Sequence, residues 1–227
     1  MSQDIPAIVS QVIRDRRTVK VFAAAPQDEA VNFAVVEELL EAASWAPFHR
    51  GAAKVHLEEG KLASKVPWRA YVLDAAGCRV MQERLLALED KSKVPPMLGA
   101  ATALVQVTWL PDPAPEVPAT EQPAEGAKPL LFDPTDKNME HIAAAGAAIQ
   151  NLLLAATARN IPSYWSSGGA LRQRQHLDLL GIPAGEILLG SVFLFPPGSD
   201  QGTDLAFGGL REQRGSTEEW SRRVELG

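Results

Sequence analysis

The chain has 227 residues, 46% of them hydrophobic and 22% charged, with a formal net charge of −6. That length can bury a real core, in one large domain or two small ones. The negative balance argues against a general nucleic-acid binder, and the lone Cys78 excludes an intrachain disulfide or a cysteine-rich zinc site. Met1-Ser2-Gln3-Asp4 lacks a basic region followed by an apolar core, so no signal peptide is read and the cytoplasm is the expected compartment.

Ile5 to Asp15 reads as a short amphipathic helix, with Ile5, Ile8, Val9, Val12 and Ile13 on one side. A basic cluster follows: Arg14, Arg16, Arg17, Thr18, Lys20, then Phe22. Arginine forks suit phosphate oxygens, so the cluster can hold a phosphate and a polar ring edge together; a solvated run of charge is the competing reading. Asn32 to Trp45 carries the helical period at Val35, Val36, Leu39, Leu40 and Ala43, and Pro47 ends it. Ala46 to Gly51 starts a loop with His49 and Arg50 at its tip. Trp68 to Leu73 alternates like a strand. Ala75 to Asp90 returns to helix, with Val80, Leu85 and Leu88 as core candidates. Ala103 to Trp109 reads as a second, buried strand. Leu110 to Pro129 carries six prolines among Ala, Glu and Asp. Such a segment buries too little surface to offset its ordering entropy, and it reads as a mobile excursion rather than a domain boundary.

The chain is organised around Lys137 to Ala170. His141 to Ala158 is Ala, Ile, Leu and Gly almost without a break, a helix expected to be buried on every face. Asp133 or Asp136 can cap its start, and Pro134 suits a first turn. Arg159 in the last turn, Asn160 at the left-handed position and Pro162 beyond it mark the stop. Gln150, Asn151 and Thr157 interrupt the run and argue against a membrane span. Ala143, Gly146, Ala147 and Ala155 suit close packing of one helix on another, including across a dimer axis. Ser163 to Ala170 then reads as a turn whose serines and glycines let backbone approach a flat ligand. Gln173 to Leu180 is a short helix ended by Gly181 and Pro183, and Glu186 to Phe195 is a third strand, apolar enough to lie centrally. Ser216-Thr217-Glu218-Glu219 is a capping box that opens a C-terminal helix, with Arg211 and Arg214 before it. There is no internal repeat. Strands scattered among helices point to α+β or mixed α/β.

The sequence holds no dinucleotide fingerprint, P-loop or Gly-x-Ser-x-Gly turn. His49, His56, His141 and His176 lack metal-ligand spacing, and no carboxylate pair stands out. What remains is an anion site, Arg16 and Arg17 with Arg211 or Arg214, and a Trp-Ser-Ser-Gly backbone surface. That combination fits a phosphate-bearing planar cofactor better than a catalytic triad.

Arg16 to Phe22 resembles the Arg-Arg-Ser-x-Arg-x-Phe opening of the FMN-dependent nitroreductase family. Ala42 to Arg50 is similar to its Ala-Pro-Asx-His segment, Pro67 to Leu73 to its Pro-Trp-Arg-Phe strand, and Gly146 to Ala170 to its central helix and Trp-Arg-Ser-Gly-Ala-Leu flavin loop. Gly181-Ile182-Pro183 and the strand ending at Phe195 resemble its last core strand. The likeness runs from about Ile8 to Pro197.

The resemblance implies a single α+β domain over residues 1–227. It would be a three-layer α/β/α sandwich with a mixed sheet and a long buried central helix, homodimeric with flavin sites at the interface. It implies FMN, with Arg16, Arg17 and Thr18 on the phosphate and ribityl chain and Lys20 at the pyrimidine edge. His49 and Trp45 would reach the flavin from the partner chain. Trp165, Ser166, Ser167 and Gly168 would line the ring, and Arg214 or Arg211 would close the phosphate site. Catalysis would rest on FMN, passing a hydride from NAD(P)H to a nitroaromatic, quinone or similar acceptor. Thr18 and Lys20 replace Ser and Arg, Phe48 replaces Asp or Asn, and Val66 stands where many members have Gln or Glu. Residues 51–66 are an insertion and 110–129 a second excursion, both able to reshape a substrate channel. Other flavin chemistry on the same scaffold, such as dehalogenation or flavin fragmentation, and a non-catalytic helical dimer that binds partners are the rival readings.

Overall fold

The computed structural model describes residues 4–23, 33–58, 62–114 and 132–225. Asn32, residues 115–129 of the second excursion and residues 59–61 of the insertion lie outside these.

The first element is α1 (Ile5–Asp15), capped by Asp4, whose Oδ1 accepts from the Ala7 N–H. A short β1 (Val19–Val21) follows, then α2 (Phe33–Ser44), β2 (Trp68–Asp74), α3 (Ala75–Ala87) and α4 (Val94–Ala100). Then come β3 (Ala103–Trp109), α5 (Asp136–Ala158), β4 (Ser163–Ser166), α6 (Arg174–Leu179), β5 (Ile187–Leu194) and β6 (Leu205–Phe207). Four strands pair antiparallel in the order β2-β3-β5-β4, and β1 pairs antiparallel with β6. A parallel bridge from Thr18 to Ser163 joins the two sheets and makes the arrangement mixed. As expected, β5 lies inside the sheet.

Side-chain alternation sorts the strands into two core layers. Val105, Val107, Trp109, Val192 and Leu194 face α2 and α5. Leu104, Phe193 and Phe195 face α3, α4 and the valines of β1. The result is an α/β/α sandwich of the α+β class.

The central helix differs from the expectation in two ways. Its N-cap is Thr135, whose Oγ1 accepts from the Asn138 N–H, and neither Asp133 nor Asp136. Asp136 is already in the first turn, where its charge suits the helix dipole. The helix is also not covered all round. Ala144, Ala145, Ala148, Ile149, Leu152, Leu153 and Ala156 are buried, whereas Met139, Ala143 and Ala158 are exposed. Among the described residues, no element covers Met139, Ala143 or Ala158. The stop follows the sequence: Arg159 is the C-cap and Asn160 takes φ 55°. By length and composition α5 could cross a membrane, yet its buried side packs on α2 and the sheet.

Other corrections have local causes. In α3, Cys78, Met81 and Leu85 form the buried stripe, while Val80 (50% exposed) and Leu88 (56%) point out. Val80 is two residues from Cys78, about 200° round the helix. Leu88 is the C-cap, and the helix stops at Ala87. Helix α4 was not among the expected elements; Pro95 and Pro96 occupy its start, where proline is tolerated. Ser163 to Ser166 is an edge strand and not part of a turn. The capping box at Ser216 forms, but only one 3-10 turn (Thr217–Glu219) follows. Its residues have no apolar face to bury, and Trp220 is 70% exposed.

Candidate functional site

The C-terminal tail reaches the N-terminal basic cluster through β6. Val19 pairs with Phe207, and the Gly208 N–H donates to the Thr18 carbonyl at 3.1 Å. Gly208 is needed there, since an added Cβ would lie 2.9 Å from that of Thr18. The turn that follows carries Arg211 and Arg214 back over the end of α1.

These segments enclose a cavity of about 1140 Å³. Arg16, Arg17, Thr18, Arg211 and Arg214 line it, with Ser163 from β4 and Asn160 from the end of α5. Five sequence-predicted site residues are thus gathered in one place. Their states differ. Arg17 is paired with Asp200 at 2.8 Å and stacks over the Phe207 ring. Arg211 donates to the carbonyls of Arg14 and Arg16, closing the C-terminal end of α1, and lies 3.4 Å from Glu212. Arg16 and Arg214 have no carboxylate partner among the described residues. Burial lowers the pKa of Arg16, and the charges of Arg214 and Arg211 lower it further. A half-buried cation facing two other cations is an unbalanced site that an anion would relieve.

Two helix C-termini also end at this cavity, and their carbonyls disfavour an anion. Both are covered by arginines: Arg211 on α1, and Arg159, which donates to Ala155 and to Glu38, on α5.

The remaining predicted residues lie elsewhere. Lys20 is two residues along β1 from Thr18, with its ammonium 4.8 Å from the Tyr164 ring centre. Trp165 is two residues along β4 from Ser163, about 7 Å further on the same face. Its indole lies across Gly190, where an added Cβ would be 2.0 Å from Nε1. Ser166 is buried and its Oγ accepts from the Gly168 N–H; Ser167 is exposed. Gly168 takes φ 108° and Gly169 φ 52°. Trp45 (80% exposed) and His49 project from the loop after α2. Arg50 ties that loop to Glu140 at 3.2 Å, near the start of α5. Asn160 of the cavity lies twenty residues on, so His49 is about 30 Å from the cavity of its own subunit.

Sequence reasoning missed Arg172 and Gly190. Arg172 donates to the carbonyls of Ser167 and Leu189, bracing the Trp165 loop from behind, and burial lowers its pKa. An arginine inside an otherwise apolar turn was its signal. Gly190 within an apolar strand was the other, since such a glycine marks a close approach. The histidines form no metal centre among the described residues. His56, His141 and His176 are buried, each bonded to a backbone carbonyl.

The fold has solved relatives. A provisionally named nitroreductase from Desulfovibrio desulfuricans, solved with FMN, is 20% identical with a TM-score of 0.58, each chain covering 100% of the other. A nitroreductase-like protein from Bacillus cereus is 22% identical with a TM-score of 0.56, covering 96% of this chain and 99% of that one. A provisionally named NADH dehydrogenase/NAD(P)H nitroreductase from Bacteroides thetaiotaomicron is 16% identical with a TM-score of 0.54, covering 96% and 98%. No curated protein matches the chain. The Nitroreductase family pattern matches residues 13–194, from the basic cluster to the end of β5, and the chain belongs to the nitroreductase family.

Proposed function

We propose that the protein is an FMN-dependent oxidoreductase that works as a homodimer, taking a hydride from NAD(P)H and passing electrons to a nitroaromatic, quinone or similar acceptor. The observation that carries the reading is the Arg16–Arg214 pair, two cations without an anionic partner among the described residues, in a cavity of mononucleotide size. A phosphate dianion supplies the missing charge, and guanidinium forks match its oxygens. Ligand sites commonly measure about 300–1,000 Å³, so the cavity suits FMN with its mouth open.

When bound, FMN supplies the hydride and electron chemistry. The chain's residues bind, orient and shield. Arg16 and Arg214 hold the phosphate, and Thr18 and Arg17 border the ribityl chain. Strand β4 leads from Ser163 to Trp165, so Trp165, Ser166, Ser167 and Gly168 would line the ring. Lys20 stabilises negative charge at the pyrimidine edge. Arg172 keeps the loop carbonyls turned away from the ring.

A second copy completes the site. The uncovered face of α5 continues onto α1, where Ile5, Ile8, Val9 and Ile13 are all exposed. Two α5 helices crossing antiparallel bury those faces and bring the start of one α5 to the end of the other. That crossing carries His49 and Trp45 of one copy to the cavity of the next.

The test is the spectrum of the purified protein and its turnover. A yellow protein that releases FMN, and oxidises NADH or NADPH with a quinone or nitroaromatic present, is expected. A colourless protein that does not take up added FMN would overturn the reading.

A further inference from the structure

A second cavity, of about 380 Å³, lies at the opposite edge of the sheet. It borders β2 and β3, whereas the arginine cavity borders β4. The order β2-β3-β5-β4 separates the two edges by three strand spacings, about 14 Å. Its walls are Ala43 of α2, Ala148 and Leu152 of α5, and Trp68 and Val107 of the sheet; Leu62 to Ser64 of the insertion form the roof. Small residues where two helices meet the sheet leave the space open.

The roof is a built structure. Arg69 is buried, and its terminal nitrogens donate to the carbonyls of Ser64 (2.9 Å), Val66 (2.8 Å) and Trp68 (2.7 Å). The Ala52 N–H donates to the Lys65 carbonyl at 2.9 Å and closes the base of the insertion. The lining hydroxyls are also engaged: Ser44 donates to the Glu41 carbonyl, and Ser64 accepts from the Val66 N–H. The one charged residue in the lining therefore spends its terminal nitrogens on backbone, and apart from the two serines the rest of the wall is hydrocarbon. Apolar walls of this kind favour apolar guests over water.

We propose that this cavity binds an uncharged, largely hydrocarbon small molecule, aromatic or terpenoid, held by shape and apolar burial. Its volume is within the ordinary range for small-ligand sites. An anionic ligand would find far fewer donors there than in the arginine cavity. The site does not depend on the flavin reading.

The experiment is a titration of the purified, flavin-loaded protein with 1-aminoanthracene, an uncharged fluorophore. Saturable binding of one probe per chain is expected. Ala43→Leu and Ala148→Leu fill the cavity from different helices, and each is expected to weaken probe binding at least tenfold without changing the flavin spectrum. If either variant fails to fold, the other and xenon-pressurised crystals of the unaltered protein decide, with a xenon peak expected between α2, α5 and β2. No saturable binding, unchanged affinity in a folded variant, or no xenon at this position would overturn the proposal. A colourless protein that still binds the probe would sink the flavin reading and leave this site standing.

Discussion

Arg214 faces Arg16 closely enough to lower its proton affinity, and among the described residues neither forms an ion pair, although Asp15, Asp200 and Glu212 border the same cavity. A protein gains no stability from such a pair. Arg16→Ala and Arg214→Ala are each expected to reduce FMN affinity by about tenfold to a hundredfold, since hydrogen bonds to charged groups contribute roughly 1.5–3 kcal/mol. The apoprotein should melt no lower than the parent, because the substitution removes repulsion and a desolvated charge. Arg17→Ala should affect FMN less, as its guanidinium is held by Asp200. Isothermal titration with FMN and thermal melts of the apoprotein check both halves. If Arg16→Ala binds FMN as tightly as the parent, the basic cluster is only a solvated run of charge.

Lys20→Ala separates ring from phosphate. Its ammonium lies over Tyr164 and does not line the arginine cavity. Potentiometry should show a lower flavin reduction potential, stopped-flow mixing slower reduction by NAD(P)H, and titration a smaller loss of FMN affinity than for Arg16→Ala. An unchanged potential would remove Lys20 from the ring's surroundings.

The sequence was informative where local chemistry decides. Strand β3 matches its expected bounds, and Asn160 takes the left-handed turn that its position before Ile161-Pro162 suggested. It was less informative where a partner element decides. Ser163 to Ser166 has the composition of a turn and becomes a strand because β5 offers an edge. Val80 looks like core until the phase set by Cys78, Met81 and Leu85 is known. At the site, Arg16 and Arg214 could be named from sequence, but not their difference from Arg17 and Arg211. That difference arises from Asp200 and from the open carbonyls of α1, both distant in the chain or hidden in backbone.

Gly190 tests the Trp165 wall. A methyl group there would overlap the indole at 2.0 Å and approach the Ser166 carbonyl at 2.9 Å. Gly190→Ala should therefore expel the indole and cost about 1–3 kcal/mol, the usual range for overpacking. Urea unfolding measures the loss. Trp165→Ala in the same background should recover the indole's share of the loss, while the Ser166 carbonyl still stands 2.9 Å from the added methyl. Failure of the double variant to recover would place the strain at the backbone.

Burial raises the Cys78 thiol to about 12, and Tyr71 is raised in the same direction by burial and by the adjacent Glu186. A thiol in the unfolded chain ionises near 8.5. Between these values the native state holds a proton that the unfolded state has lost, so stability is full below about pH 8.5 and falls as pH rises towards 12. Urea midpoints should accordingly decline through the alkaline range. At pH 8 the native thiol should react with a disulfide reagent only as fast as the chain unfolds, and fully in denaturant. Rapid reaction in the native state would contradict the burial of Cys78.

Gly146 separates the fold of one subunit from the pairing of two. An added Cβ there meets nothing within 4 Å, so a side chain would leave the helix in an open direction within one subunit. Gly146→Leu should even favour the helix, because glycine is about 1 kcal/mol worse than alanine in a helix interior. Between two closely crossing α5 helices the same side chain has nowhere to go. The expected product is a folded monomer with native circular dichroism, half the parent mass by light scattering and little bound FMN. Loss of flavin would follow from loss of the second copy, with Arg16 and Arg214 untouched. A Gly146→Leu protein that stays dimeric and yellow would move the subunit contact away from α5, and with it the assignment of His49 and Trp45 to the neighbouring site.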